Sequence, residues 1–72
     1  MKGYVKFFNK EKGFGFIRAN DGNEYFAHAS EIKNQTPDVD GKKHLGAGWN
    51  VSFDLKHSHE KGPMATNIKV LL

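Results

Sequence analysis

The chain contains no cysteine, which excludes disulfide bonds and thiolate metal sites within it. It also lacks a long hydrophobic run, because every apolar stretch is far shorter than the roughly 20 residues that a membrane-spanning helix needs. The first residues, MKGYVKFFNK, show no apolar segment followed by the small residues of a signal-peptide cleavage site. These absences predict a soluble protein that is not exported, although a lack of cysteine by itself fits any compartment.

What is present is a short and mildly basic chain. Its 72 residues suffice for one small domain, residues 1–72, which buries about 60% of the surface that the unfolded chain exposes. The net charge of +3 is by itself weak evidence for a polyanionic partner. The distribution of charge is more informative, because the basic residues of the first 18 positions are interleaved with phenylalanines and opposed only by Glu11. These basic residues are Lys2, Lys6, Lys10, Lys12 and Arg18.

Short segments rich in β-branched and aromatic residues, separated by turn formers, predict strands rather than helices. The tetrapeptide NDGN at 20–23 predicts a hairpin, because its residues tolerate positive φ. One helical turn is expected at SEI, residues 30–32, with Ser30 as its cap. The predicted strands are GYVKFFN (3–9), GFGFIRA (13–19), EYFAHA (24–29), WNVSFDLKH (49–57) and MATNIKVLL (64–72).

Five short strands without a helix of useful length predict an all-β fold, a small five-stranded antiparallel barrel that is closed or partly closed. Closure removes the edges that isolated strands would expose. A long polar connection at about 33–48 joins the third and fourth strands. By alternation Trp49 shares a face with Val51, so we expect it to pack in the core or at a barrel end, with exposure as the alternative. The expected core is Val5, Ile17, Tyr25 or Ala27, Ile32, Val51, Phe53, Leu55, Ile68 and Val70.

Several aromatic side chains are left over once this core is assembled. Successive side chains point to opposite faces of a strand, so Phe14 and Phe16 share one face while glycines leave the other almost bare. Such a pair is usually part of a core, but here the core face is already filled. Exposed rings flanked by cations suit single-stranded nucleic acid, because bases stack on rings and cations neutralise phosphates. The candidate surface contains Phe14, Phe16, Phe26, His28 and Phe7 or Phe8, framed by Lys6, Lys12 and Arg18.

The segments KFFNKEKGFGFI (6–17) and EYFAHAS (24–30) closely resemble two motifs of the bacterial cold-shock proteins, which read roughly KWFNxxKGFGFI and VFVHFS. GWNVSFDL and KGPMATNI are similar to that family's fourth strand and its RGPQAANV segment, so the resemblance covers nearly the whole chain. It implies a five-stranded OB-fold barrel. It also implies a cytoplasmic protein that binds single-stranded RNA and DNA, often as an RNA chaperone.

The resemblance also implies roles for individual residues. Lys61 stands where many members have a phosphate-contacting arginine, and Phe7 replaces the usual tryptophan. Two departures reduce the stacking surface, because Ala29 stands where an aromatic residue is usual and the 33–48 connection contains no aromatic residue. We therefore expect weaker binding, or a shorter site, than an aromatic-rich member shows. The family's binding positions are matched here by Lys6, Phe7, Phe8, Lys12, Phe14, Phe16, Phe26 and His28.

The main alternative is a protein-interaction module that uses the same aromatic face as a hydrophobic docking patch. Salt distinguishes the two, because only nucleic-acid binding should weaken steeply through counterion release. An enzyme is not expected, since no pair of acids and no nucleophile with a base converges on one predicted face. A metal site built from His44, His57 and His59 is not expected either, because the spacing is poor and thiolates are absent. We therefore predict no cofactor, no membrane contact and a monomer rather than a dimer.

Overall fold

The computed structural model describes residues 1–33, 43–58 and 62–71. Among these residues, no helix is long and apolar enough to cross a membrane. A short 3-10 turn, Ala29–Glu31, follows the third strand. The strands are β1 (Lys2–Asn9), β2 (Phe14–Ala19), β3 (Glu24–His28), β4 (Asn50–Ser58) and β5 (Gly62–Val70).

The strands form a closed barrel in the order β1-β2-β3-β5-β4, which confirms the expected five-stranded architecture. β1 is central to the closure, because it pairs with β2 on one side and with β4 on the other. One pair differs from an all-antiparallel barrel: β3 and β5 run parallel, with Phe26 opposite Met64. The reason is topological. After β3 the chain crosses over, and β4 pairs antiparallel with β1. β5 then runs antiparallel to β4, which gives it the same direction as β3 where the two strands meet.

A bulge in β1 decides which of its side chains face outward. Val5 pairs with Ile17 and Phe7 pairs with Phe16, so Lys6 is an extra residue opposite a single step on β2. A regular strand that buries Val5 would also bury Phe7, because alternate residues share a face. The extra residue resets the alternation and brings Phe7 to the outer face of the barrel.

A second bulge lies in β5 at Asn67, which has a φ of 51°. Ser52 of β4 pairs with Lys69 and Asp54 pairs with Thr66, so two steps along β4 correspond to three steps along β5, and β5 contains one extra residue. Asparagine is among the few residues that adopt this left-handed conformation readily. Because of the extra residue, Ala65 and Ile68 are both fully buried although they are three positions apart.

The core agrees with most of the expected set. Both alternatives, Tyr25 and Ala27, are buried, and Tyr25 also donates a hydrogen bond from its hydroxyl to Asp21 Oδ2 at 2.6 Å. Leu55 and Val70 were expected inside, but they are only partly buried and pack against the core. Leu45 was missed because it lies in a polar connection without alternation. The buried core is Val5, Ile17, Ala19, Tyr25, Ala27, Ile32, Leu45, Val51, Phe53, Ala65 and Ile68.

Trp49 does not join this core, because 38% of the residue is exposed. Strand β4 begins one residue later, so the alternation that buries Val51 does not extend back to Trp49. The indole instead covers Gly46, where an added Cβ would come within 2.8 Å of its Cζ2 atom. It also lies against His44, with ring centroids 5.5 Å apart. The exposed alternative is therefore the correct one for Trp49.

The expected helical turn is present as the 3-10 turn, but its cap differs. Ser30 was expected to cap it, whereas the cap is His28, which has an extended backbone conformation. The Nδ1 atom of His28 accepts a hydrogen bond from the backbone N–H of Ser30 at 3.1 Å. The turn thereby fixes the ring of the last residue of β3.

Candidate nucleic-acid interface

Three rows of paired residues cross the outer face of β1, β2 and β3. Directly paired residues of antiparallel strands point to the same side of the sheet. Successive rows are two residues apart along β2, which is roughly 7 Å. The first row contains Phe14 and His28, the second contains Phe7, Phe16 and Phe26, and the third contains Tyr4, Arg18 and Glu24.

The first two rows form a continuous aromatic cluster of five residues. Phe26 is at its centre and stacks on Phe14 with ring centroids 5.6 Å apart and an interplanar angle of 26°. It meets Phe16 edge to face at 6.0 Å, and Phe16 lies 5.6 Å from Phe7. These separations are typical of favourable aromatic pairs. The aromatic cluster is Phe7, Phe14, Phe16, Phe26 and His28, and none of its members belongs to the buried core.

Gly15 explains how the second row is supported. It pairs with Phe8, and an added Cβ would come within 2.6 Å of the Phe8 Cα atom and 2.9 Å of its ring. The absence of a side chain therefore lets β1 and β2 approach closely behind the cluster. Phe8 itself is half-buried and packs against the core. Of the two β1 candidates, the structure places Phe7 on the outer face, 45% exposed, and Phe8 on the inner side against the core.

His28 closes the first row with its ring fixed from one side. Its Nδ1 atom accepts the hydrogen bond from the backbone of Ser30, and the ring centroid lies 6.5 Å from that of Phe26. A nitrogen that accepts a hydrogen bond carries no proton, so in the neutral ring Nε2 is the N–H donor. His28 therefore presents both an aromatic face and a hydrogen-bond donor at the edge of the cluster.

Cations lie at two edges of the cluster. Lys12 is exposed in the turn before β2, next to the first row. At the third row Lys6 Nζ contacts Glu24 Oε2 at 2.8 Å, and Arg18 reaches the same oxygen at 3.5 Å. The hydrogen bond from Lys6 and the two positive charges lower the pKa of Glu24 below its usual range. Lys6, predicted as a phosphate contact, is thus already paired with a carboxylate.

The remaining expectations have separate outcomes. Lys61 lies outside the described residues, as does 34–42 of the long connection. Ala29 lies beside the first row, where its Cβ would be 3.8 Å from a Cβ added at Gly13. Tyr4 was not predicted as a site residue, yet it is on the same outer face and 46% exposed. Alternation from the buried Val5 could have located it.

The described residues offer little to hold a metal ion. No group of three or more histidine, aspartate or glutamate side chains within them is arranged for metal binding. His44 lies against Trp49, and His59 is outside the described ranges.

Comparison with known proteins agrees with this geometry. Residues 1–71 match the family model described as 'Cold-shock' DNA-binding domain. The chain is 46% identical over 68 residues to cold shock-like protein CspC of Bacillus cereus, covering 94% of this chain and 95% of the relative. It is 44% identical over 70 residues to the major cold shock protein of Streptococcus pyogenes, covering 97% and 96%. Proteins of this family bind nucleic acid and are not enzymes. With its closed five-stranded barrel and outward aromatic cluster, the chain belongs to the bacterial cold-shock protein family.

Proposed function

We propose that this protein binds single-stranded RNA and DNA by stacking bases on the aromatic cluster while lysines at its margin contact phosphates. The observation that carries the proposal is that five aromatic side chains face outward from a barrel whose core is filled without them. Leaving apolar rings in water forgoes about 25 cal/mol for each Å² that could have been buried. A ligand with flat aromatic faces recovers this energy on binding.

The contacts among the rings support a stacking mechanism. Phe14 and Phe26 are nearly parallel, and Phe16 is held between Phe26 and Phe7, so the rings are arranged before a ligand arrives. A pre-arranged surface loses little side-chain entropy on binding. Each stacked base contributes about 1–3 kcal/mol, and every base has a π face. We therefore expect broad sequence tolerance. Phe8 packs against the core on the inner side of β1 and takes no part in stacking.

The distribution of charge suggests how the backbone of the ligand is held. Lys12 lies beside the first row and Lys6 beside the third, so phosphates on either side of the cluster meet a cation. The ion pair of Lys6 with Glu24 is solvent-exposed, and water and salt screen such pairs so that they add little to stability. Lys6 can therefore exchange the carboxylate for a phosphate at low cost. By its resemblance to the family pattern, Lys61 supplies a third phosphate contact.

Chaperone activity follows from binding alone. A protein that binds the open strand shifts a marginal RNA hairpin towards its melted form by mass action, and no hydrolytic step is needed. The curated relatives are bacterial cold shock proteins. We place the activity of this protein in the cytoplasm, with the monomer as the binding unit.

The test is a titration of a fluorescently labelled oligothymidine at two salt concentrations, read by anisotropy. With three lysine contacts the affinity for a single strand should fall about 100-fold for a tenfold rise in salt. Phe14→Ala and Phe16→Ala should each weaken binding about fivefold or more, since each removes a stacking ring. Trp49→Phe is the matched control, because it changes an exposed aromatic residue outside the cluster and should bind like the wild type.

Two results would contradict the proposal. Unchanged affinity in both phenylalanine variants would exclude stacking on the cluster. Affinity that does not depend on salt would exclude phosphate contacts and favour a protein-interaction surface instead. Thermal unfolding of each variant shows whether a loss of affinity comes from a loss of folded protein.

A further inference from the structure

The third row contains an aromatic ring that the aromatic cluster does not use. Tyr4 pairs with Arg18 on β2 and with Asn50 on β4, so it points to the same outer face as the cluster. It is one row, roughly 7 Å, beyond Phe16 along β2. With 46% of the residue exposed, it is as accessible as Phe7. The ring contributes nothing to the buried core.

Beside Tyr4 the surface sinks into an open recess of about 360 Å³. This volume is at the lower end of the range for ligand-binding pockets, roughly 300–1,000 Å³. The recess combines an aromatic ring and an aliphatic side chain with two amides and an ammonium group. Its lining is Lys2, Gly3, Tyr4, Asn20, Asn50 and Leu71.

We propose that Tyr4 and this recess form an additional subsite for one nucleotide of the single strand bound on the aromatic cluster. The inference rests on the function proposed above and extends its site past the third row. Tyr4 would stack on the base, Asn20 and Asn50 would hydrogen-bond to its edge, and Lys2 would neutralise the adjoining phosphate. The subsite would partly replace the stacking that is lost at Ala29, on the opposite side of the cluster.

The chemistry of the recess favours a nucleotide over a purely apolar partner. Asparagine amides offer both donors and acceptors, which match the edges of bases. Lys2 adds a positive charge at the recess. Arg18 pairs with Tyr4 and contacts Glu24 Oε2 at 3.5 Å, so a phosphate backbone that leaves the cluster passes two cations and one carboxylate. The subsite is therefore continuous with the cluster in both geometry and charge.

The alternative explanation is that Tyr4 only stabilises strand β1 and has no role in binding. Tyrosine has high β-propensity, and its position on β1 is regular. The test must therefore remove the ring without removing that propensity. Tyr4→Thr does this, because threonine is β-branched and equally suited to a strand. Tyr4→Phe is the matched control, since it keeps the ring and loses only the hydroxyl.

The experiment compares labelled oligothymidines of about 4 and about 10 nucleotides, which lie within the range of site sizes known for OB folds. Tyr4→Thr should weaken binding of the longer ligand about fivefold and change binding of the shorter one less than twofold. Tyr4→Phe should bind both ligands like the wild type. Lys2→Gln should lower the slope of log affinity against log salt by about 0.7 for the longer ligand only.

The outcomes separate the two proposals. If Phe16→Ala weakens binding of both ligands while Tyr4→Thr changes neither, the additional subsite is wrong and the aromatic cluster remains the binding surface. If Phe16→Ala changes neither ligand, the proposed function itself fails. Equal losses for both ligand lengths in Tyr4→Thr would indicate a general disturbance of the sheet and would also refute the subsite. Unfolding temperatures of the Tyr4 variants provide an independent check of stability.

Discussion

Replacing Gly15 with alanine is expected to destabilise the barrel by about 2 kcal/mol or more. The added Cβ would collide with the carbonyl oxygen of Phe7 and would approach the Phe8 Cα atom to 2.6 Å. Both are backbone atoms of β1, so the clash cannot be relieved by a rotamer change. The strands would have to separate beneath the second row, which would also displace Phe7 from the aromatic cluster.

The magnitude follows from two opposing effects. Overpacking of a well-packed region costs about 1–3 kcal/mol, and the upper part of the range applies because backbone has to move. Alanine also restricts the unfolded chain, which stabilises the fold by about 0.4–1 kcal/mol. The net loss is therefore about 2 kcal/mol, which lowers the unfolding temperature of a domain of this size by about 8–16 °C.

Urea unfolding followed by the fluorescence of Trp49, the single tryptophan, measures this loss directly. Gly22→Ala is the control, because it has a φ of 87° and no atom within 4 Å of its added Cβ. It should lose about 1 kcal/mol through backbone strain alone. Gly15 does not have a positive φ, so backbone strain does not contribute to its loss. A Gly15→Ala variant that is as stable as the wild type would refute the close approach of β1 and β2.

Two further predictions concern binding and acid stability. Ala29→Phe should tighten binding of an oligothymidine about fivefold, because it adds a ring beside the first row; no gain would show that the site does not extend there. Glu31 accepts hydrogen bonds from Thr66 Oγ1 and from the backbone of Asn67, and these bonds lower its pKa from the ordinary 4.5. A carboxyl group whose pKa is lower in the folded than in the unfolded protein stabilises the fold. This stabilisation is complete when the pH is above the unfolded-state pKa, and it is lost as the pH falls through the folded-state pKa. Glu31→Gln should therefore be less stable than the wild type at neutral pH, and the difference in unfolding temperature should shrink as the pH falls below 4.5; a difference that stays constant on acidification would contradict this.

Most of the candidate site could be predicted from the sequence, because the outward direction of Phe14, Phe16 and Phe26 depends only on alternation within short strands. The exact set on β1 could not. Phe7 and Phe8 are neighbours, and which of them faces outward depends on the bulge at Lys6, a property of the register between β1 and β2. Sequence reasoning therefore left the two open.

The same limit applies to charge and to the core. Lys6 was predicted to contact phosphate, but its pairing with Glu24 joins residues 18 positions apart and depends on the alignment of three strands. Leu45 was missed because no local pattern marks a buried residue in a polar connection. Ala65 was missed because the bulge at Asn67 changes which β5 side chains point inward.

The sequence by itself determined the strands, the turn at 20–23, most of the core and the family pattern, because these depend on side-chain direction and turn chemistry over a few residues. Only the tertiary structure decided the parallel contact between β3 and β5, the outward position of Phe7 and the third row with Tyr4. These features arise when distant strands align, and the energies that fix their register are contacts between residues far apart in the chain.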